Sequence, residues 1–416
     1  MVDRRTLLGG GVGVAFGAMA SAQAAPPAPE SGESLSARSF GATGDGRTDD
    51  TAALQAALDA TFASGVARVL VIPPGNYRVT RTLRVAPPPG AAGNLVRRSG
   101  IIANGAHLVS TIADGGNVLE FVGRSTIRFV LIEGLDILGS GREGHGISIE
   151  SDRNDIYFYN FCLRDVVVQN CGGDGCRLIG NVFEGQIINT YLRKNGGNGL
   201  TLGHGKNGGI LSAIHVFGCV FGDNGRHGVA MINNCYDAAF HGCYFLLNGQ
   251  FGLAAENGCT LLSNCGFENN HTAAKSFADG GDAGIYLASF GTLVGCTAYS
   301  VFNQTGLLRA VVTSRLVLIG CAGSGDGNAK GAGLAKLGGD RAADVTVIGC
   351  TGAVEYAGVD GIELGGPHGG LGVAAHWQSP NLMRLGDYRL WVDAQGRLRL
   401  KKGTPTADAD GTPVGT

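Results

Sequence analysis

His145, Asp174, Asn198 and His227 each stand one residue before a glycine, at intervals of 29, 24 and 29 residues. Arg177 follows Asp174 by three. Together they hold the parts for proton transfer at a charged substrate. Imidazole moves protons near neutral pH, and a guanidinium can grip a carboxylate through two parallel hydrogen bonds. Asn, Asp and Gly also suit turns, which accounts for Asn198 and Asp174 but poorly for His145, Arg177 and His227. Phe251 takes the next pre-glycine position, with Asp282 near the one after. A parallel set lies two residues beyond each glycine: Ser148, Arg177, Thr201, Ala230, Ala254 and Tyr286. Glu150 and Glu256 lie two residues further along, and Arg226 adjoins His227. The candidate catalytic residues are therefore His145, Asp174, Arg177 and His227. Asn198, Thr201, Arg226, Phe251, Tyr286, Glu150 and Glu256 are candidate substrate contacts.

These residues meet only if something brings positions 24 to 29 apart into register. The sequence repeats glycine, apolar, any residue, apolar: Gly146-Ile147-Ser148-Ile149, Gly175-Cys176-Arg177-Leu178, Gly199-Leu200-Thr201-Leu202 and Gly228-Val229-Ala230-Met231. Copies at Gly252, Gly284, Gly333 and Gly361 follow, with a glycine-free copy expected at Arg309-Ala310-Val311-Val312. A period near 25 with alternating apolar residues marks a solenoid whose short strands bury their apolar side only by stacking. Stacked strands bring equivalent residues to about 4.8 Å. Cysteine recurs in the same rhythm at 219, 243, 265, 296, 321 and 350. Its apolar neighbours point to an interior cysteine ladder rather than a metal site, and no C-x-x-C pair is present.

Composition narrows the class. Of 416 residues, 72 are Gly, 16% are charged, and the formal net charge is −2. No basic field invites nucleic acid, and no metal or other cofactor is called for; calcium stays open, without a motif. Arg4-Arg5-Thr6-Leu7-Leu8, an apolar run to Ala20 and Ala22-Gln23-Ala24 read as a signal peptide over 1–24 of the twin-arginine type. The mature chain is then expected to be periplasmic or secreted, without a membrane span. Residues 25–36 read as a disordered leader. The 11 Cys are expected to form few or no disulfides.

A stacked coil needs caps at both ends. Thr48 to Thr51 offers a helix N-cap, Leu54, Ala57, Leu58 and Phe62 share one helical face, and Gly65 is placed to end the helix. Pro73-Pro74-Gly75-Asn76 reads as a turn. Strand-like alternation at Arg389–Val392 and Arg397–Leu400 reads as a C-terminal β-hairpin cap. The expected fold is thus all-β: a right-handed, single-stranded parallel β-helix over 37–375, with an N-terminal capping α-helix and a C-terminal hairpin and tail over 376–416.

Ser39-Phe40-Gly41-Ala42-Thr43-Gly44-Asp45-Gly46, the helix from Thr51, and Ile72-Pro73-Pro74-Gly75-Asn76-Tyr77 resemble the opening of the pectate lyase and polygalacturonase superfamily. The resemblance covers roughly residues 38–365. It implies a carbohydrate ligand without choosing a reaction. Gly144-His145-Gly146 and Arg177-Leu178-Ile179 resemble polygalacturonase motifs, but Ile179 replaces the lysine. Only Glu133 and Asp136 stand where paired aspartates belong. An inverting hydrolase needs two carboxyl groups about 6.5–9.5 Å apart, whereas the set supplies Asp174 alone. A lyase needs a partner for a uronate carboxylate, for which Arg177 and Asn198 suit, and a base such as His227 or His145. The expectation is a polysaccharide lyase cleaving a uronate-containing polymer by β-elimination. A polygalacturonase-like glycoside hydrolase and a non-catalytic polysaccharide-binding protein stay open, as does the oligomeric state.

Overall fold

The computed structural model describes residues 34–416 apart from 64–66, 88–95, 124–125, 152–155, 206–208, 233–234, 257–259, 271–282, 289–290, 301–305, 313–314, 326–332, 340–343, 351–352, 358–361, 366–382, 386–387, 394, 404–406, 408 and 415–416. The signal over 1–24, most of the leader, Gly65, Cys259, Asp282 and Gly361 therefore lie outside the described residues.

The repeat winds into a right-handed parallel β-helix. The motif strands form one parallel sheet of 11: Leu83–Val85, Leu119–Val122, Ile147–Ser151, Cys176–Gly180, Leu200–Gly203, Val229–Ile232, Leu253–Ala255, Ala283–Leu287, Gly306–Val312, Gly333–Gly339 and Ala353–Ala357. The other facets of the coil belong to a parallel sheet of 25 strands. Strand alternation turns Ile147, Cys176, Leu200, Val229 and Leu253 inward as one continuous row, all fully buried. Phe221, Phe245 and Phe267 stack in the same interior, with centroids 5.1 and 4.5 Å apart.

The cysteine ladder is present and its corner chemistry is visible. The residue before each cysteine adopts a left-handed conformation: Gly218 at φ 59°, Gly242 at 60°, Asn264 at 52° and Gly295 at 62°. Only Gly and Asn hold that conformation cheaply, which explains the recurrent Gly-Cys and Asn-Cys pairs. Cys219, Cys243, Cys265, Cys296 and Cys321 are buried, Cys350 half-buried, and the ten described cysteines are all free thiols. Hydrogen bonding to Cys219, then burial, push the Cys243 thiol up to about 12.

Several local expectations are corrected. Helix Thr51–Thr61 caps the first coil, with Phe62 edge-on to Phe121 at 5.7 Å. Asp50 at its N-cap position makes no side-chain cap, because its carboxylate instead accepts the N–H groups of Thr43 and Gly44, and Asp49 Oδ1 accepts the N–H of Thr51 at 3.1 Å. Gly75 opens strand Gly75–Val79. The end of the leader is a strand, Ser34–Ser36, paired with Val69–Val71 because Leu35 reaches the core. The glycine-free copy sits two residues early, with Leu308 and Arg309 opposite Ile285 and Tyr286. Strand Ile362–Gly365, taken from the Gly361 copy, pairs in the larger sheet, and Ala353–Ala357 supplies the last motif strand. Both segments alternate with period two, so pattern alone could not assign the facet.

The hairpin is present as Tyr388–Val392 and Leu398–Lys402 within a four-stranded antiparallel sheet. Asp393 fixes its turn through the N–H groups of Gln395 and Arg397 and the guanidinium of Arg399. Among the described residues no helix is long and apolar enough to cross a membrane.

Candidate functional site

The pre-glycine residues line one edge of the motif sheet, linked coil to coil. His145 N–H donates to Asn117 Oδ1 at 2.8 Å, Asp174 N–H to His145 Nδ1 at 2.9 Å, Asn198 N–H to Asp174 Oδ1 at 2.8 Å, and His227 N–H to Asn198 Oδ1 at 3.0 Å. Each side chain thus satisfies a turn amide of the next coil. That duty needs only an acceptor. Asn performs it at 117 and 198, so it does not explain a histidine at 145 or a carboxylate at 174.

Asp174 is buried and fully engaged. Oδ1 accepts the Asn198 amide, and Oδ2 accepts Thr201 Oγ1 at 2.8 Å, itself held by Asn198 Nδ2 at 3.0 Å. Arg177 Nη1 and His145 Nδ1 each lie 3.6 Å from Oδ2. Arg177 Nε meets Glu150 Oε1 at 3.3 Å on the preceding coil. The guanidinium therefore spans a buried carboxylate and an exposed one.

His145 is set from three sides. Glu143, two residues earlier, accepts Ser140 N–H, Ser140 Oγ, Gly141 N–H and Arg142 N–H and so folds the turn that presents the imidazole. Burial alone would raise the Glu143 pKa, but these hydrogen bonds outweigh it and hold the carboxyl below its usual range. Burial depresses the His145 pKa below 6.5; the Asp174 carboxylate pulls it up again and Arg177 adds to the depression. A neutral ring whose Nδ1 accepts from Asp174 carries its proton on Nε2. Glu150 and Glu120 also bear electrostatically on the ring.

The expected patch divides in two. His145, Asp174, Arg177, Asn198, Thr201 and Glu150 come together. His227 is three coil steps from His145, roughly 14 Å, and Arg177 leans toward Glu150 on the coil nearer His145. His227 instead begins an aromatic stack: it lies 5.8 Å from Phe251, which lies 5.4 Å from Tyr286. Arg226 is exposed beside His227. Glu256 is exposed four steps along the row from Glu150, roughly 19 Å away. The third-position row is not uniformly open. Ser148, Thr201, Ala230 and Ala254 are buried, leaving Arg177 and Tyr286 partly exposed. Glu133 and Asp136 belong to another facet, where they pair with Arg164 and His107.

Sequence reasoning missed Asn117, Glu120 and Glu143. Asn117-Val118-Leu119-Glu120-Phe121 is a copy of the motif with valine in place of glycine, and it aligns with His145 to Ile149. Among the described residues no group of three or more His, Cys, Asp or Glu is placed to hold a metal ion.

Comparison with known proteins agrees with this architecture. Residues 34–115 match the family described as rhamnogalacturonase A/epimerase, pectate lyase-like; residues 117–302 match the right-handed beta helix region; and residues 346–416 match capsule depolymerase. Mannuronan C5-epimerase AlgE5 of Azotobacter vinelandii is 28% identical over 243 residues, taking in 49% of this chain and 23% of that protein. This chain thus spans less than a quarter of that relative. A Geobacillus virus E2 structure, ORF18, is similar at 20% identity and TM-score 0.55, covering 88% of this chain and 66% of that one. The enzymatically active domain of bacteriophage CBA120 tailspike protein 2 is similar at 13% identity and TM-score 0.55, covering 89% and 58%. At these identities both structures speak to fold alone.

Proposed function

The chain belongs to the pectate lyase-like superfamily of right-handed β-helix proteins, and on that premise we propose that it is a polysaccharide lyase acting on a uronate-containing polymer. The observation that carries this reading is Arg177, held between Glu150 and Asp174 beside a neutral His145. A uronate carboxylate on Arg177 makes the neighbouring ring proton more acidic, because the guanidinium stabilises the charge that develops when it leaves. Glu150, exposed at the far side of Arg177, takes that proton. The carbon–hydrogen pair becomes a ring double bond, the glycosidic carbon–oxygen bond breaks, and the proton that Glu150 took passes to the departing oxygen, toward which the neutral His145 Nε2–H donates a hydrogen bond. Asp174 positions Arg177 and His145. The His227–Phe251–Tyr286 stack offers aromatic faces to neighbouring sugars.

Two other outcomes share the site. The epimerase relative suggests that a proton returns to the same carbon from the opposite face, inverting it without cleavage. Hydrolysis would ask Asp174 to serve as an acid, and its engaged oxygens favour elimination. The chain is further proposed to reach its substrate outside the cytoplasm after loss of residues 1–24; Arg4→Lys with Arg5→Lys should block export by the twin-arginine route.

The test is incubation in D2O with mannuronate-, guluronate- and galacturonate-containing polymers. Elimination yields near-ultraviolet absorbance and products one water lighter than hydrolysis products. Deuterium entering an uncleaved polymer means epimerisation, and cleavage without absorbance means hydrolysis. A polymer left intact and undeuterated across the panel sinks all three.

A further inference from the structure

The facet that follows the motif strands carries a second feature that the site does not use. In register along the axis it presents Arg128, Tyr159, Phe183, Ser212 and Tyr236. The adjoining corner row begins with Arg98 and Phe129. Phe129, Tyr157 and Tyr236 are exposed at 41%, 38% and 43%. Three of the rings lie together, Tyr157 being 6.4 Å from Tyr159 and 6.1 Å from Phe183, and Tyr236 follows two steps beyond Phe183, against His204 at 5.6 Å. Its N-terminal end is cationic. The Arg128 guanidinium sits 3.7 Å over Tyr159, and that of Arg98 5.6 Å over Phe129. The first carboxylate in either row is Glu184, engaged by Asn160. From the coil of Arg98 to that of Tyr236 the strip is five steps long, roughly 24 Å.

We propose that this strip is a second binding track for an anionic polysaccharide, separate from the site around Arg177. The proposal rests on the polysaccharide reading above but not on its reaction. The arginines complement an acid group on the polymer, and the rings cover the apolar faces of successive sugars. Stacked strands set the rings in a line along the axis, a shape that suits a linear chain. The strip occupies the same coils as His145, Asp174 and Asn198, one facet away. A long polymer held there stays near the site between encounters, and two linked contacts bind far better than either alone.

The experiment uses the full chain in gels containing each acidic polymer of the panel, with an uncharged polymer as control, and follows retardation, product formation and sedimentation. The variants are Tyr157→Ala with Tyr236→Ala, Arg98→Ala with Arg128→Ala, and Arg177→Ala. Both strip variants should weaken retardation by acidic polymers by about tenfold or more, while turnover of short oligosaccharides stays within about twofold. Retardation that persists in both strip variants overturns the track, as does a wild-type chain retarded by no acidic polymer. Equal retardation by the uncharged polymer, or a wild-type dimer that the strip variants dissociate, overturns it too. Retardation lost with the strip but no product from any polymer leaves the track standing and removes the lyase reading.

Discussion

Two ladders run beside each other in the turn before the motif strands, and they point in opposite directions. The inner one is Asn195, Asn224, Asn248 and Asn270, all buried. Each of the last three accepts, through Oδ1, the backbone and side-chain N–H of the asparagine one coil earlier. Nδ2 of Asn224 also donates to Leu192 O at 3.0 Å, and that of Asn248 to Phe221 O at 3.0 Å. The outer one, Asn117, His145, Asp174 and Asn198, accepts N–H groups from the coil that follows. One residue type fills the inner ladder because only an amide both donates and accepts there. The outer ladder asks for an acceptor alone, so its residues can vary, and two of them vary toward proton chemistry. Structure is held where the type is fixed, and function is expected where the fold leaves the type open.

The largest effect expected from this contrast is on activity. His145→Asn keeps an acceptor for the Asp174 amide and removes the imidazole. Turnover should fall by roughly 10²–10⁴, with the denaturant midpoint nearly unchanged. A variant that loses stability in proportion to activity would show the histidine to be a ladder residue and no more. Asn224→Ala tests the other side. It orphans two N–H donors of Asn195 and the carbonyl of Leu192, at a cost of roughly 3–5 kcal/mol in unfolding free energy. Any residual folded fraction should retain its specific activity. Asn117→Ala sits between them, at the half-exposed start of the outer ladder. It should cost about 1 kcal/mol and leave turnover within a few-fold.

The coil was legible because stacking imposes one period on every row. The motif glycines follow from close approach: a Cβ at Gly199 would lie 2.6 Å from Gly228 O. The outer row was found because its residues precede those glycines. The inner ladder was equally periodic, with Asn195, Asn224 and Asn248 each four residues before a motif glycine, and was passed over as turn composition. Glu143 and Asn117 escaped because one lies in a longer turn and the other precedes a valine. His227 lies two coil steps beyond Arg177, roughly 10 Å, and Arg177 leans the other way, toward Glu150. The Ile362–Gly365 strand was misassigned because alternation is identical on every facet.

The smallest effect is that of pH, and its sign can be worked out. Burial first, with Arg177 assisting, holds the His145 pKa below 6.5 against the pull of Asp174. Above 6.5 the ring is neutral in both the folded and the unfolded chain, so it contributes no pH dependence. As pH falls through 6.5 the unfolded chain takes up a proton that the folded site still refuses. The unfolded state is favoured, and stability declines until pH passes the lower, folded value. Burial lowers His204 and His241 in the same direction, so the wild-type slope is a sum. The difference between wild type and His145→Asn isolates one residue: their unfolding free energies should run parallel above pH 7, and below 6.5 the wild type should lose stability relative to the variant. The acid limb of turnover should likewise lie below the value for a free imidazole, because His145 keeps its neutral form into mild acid. A limb above 6.5 would mean that the carboxylates around His145 outweigh its burial, and the ring would then be a cation bound to Asp174 instead of a neutral donor.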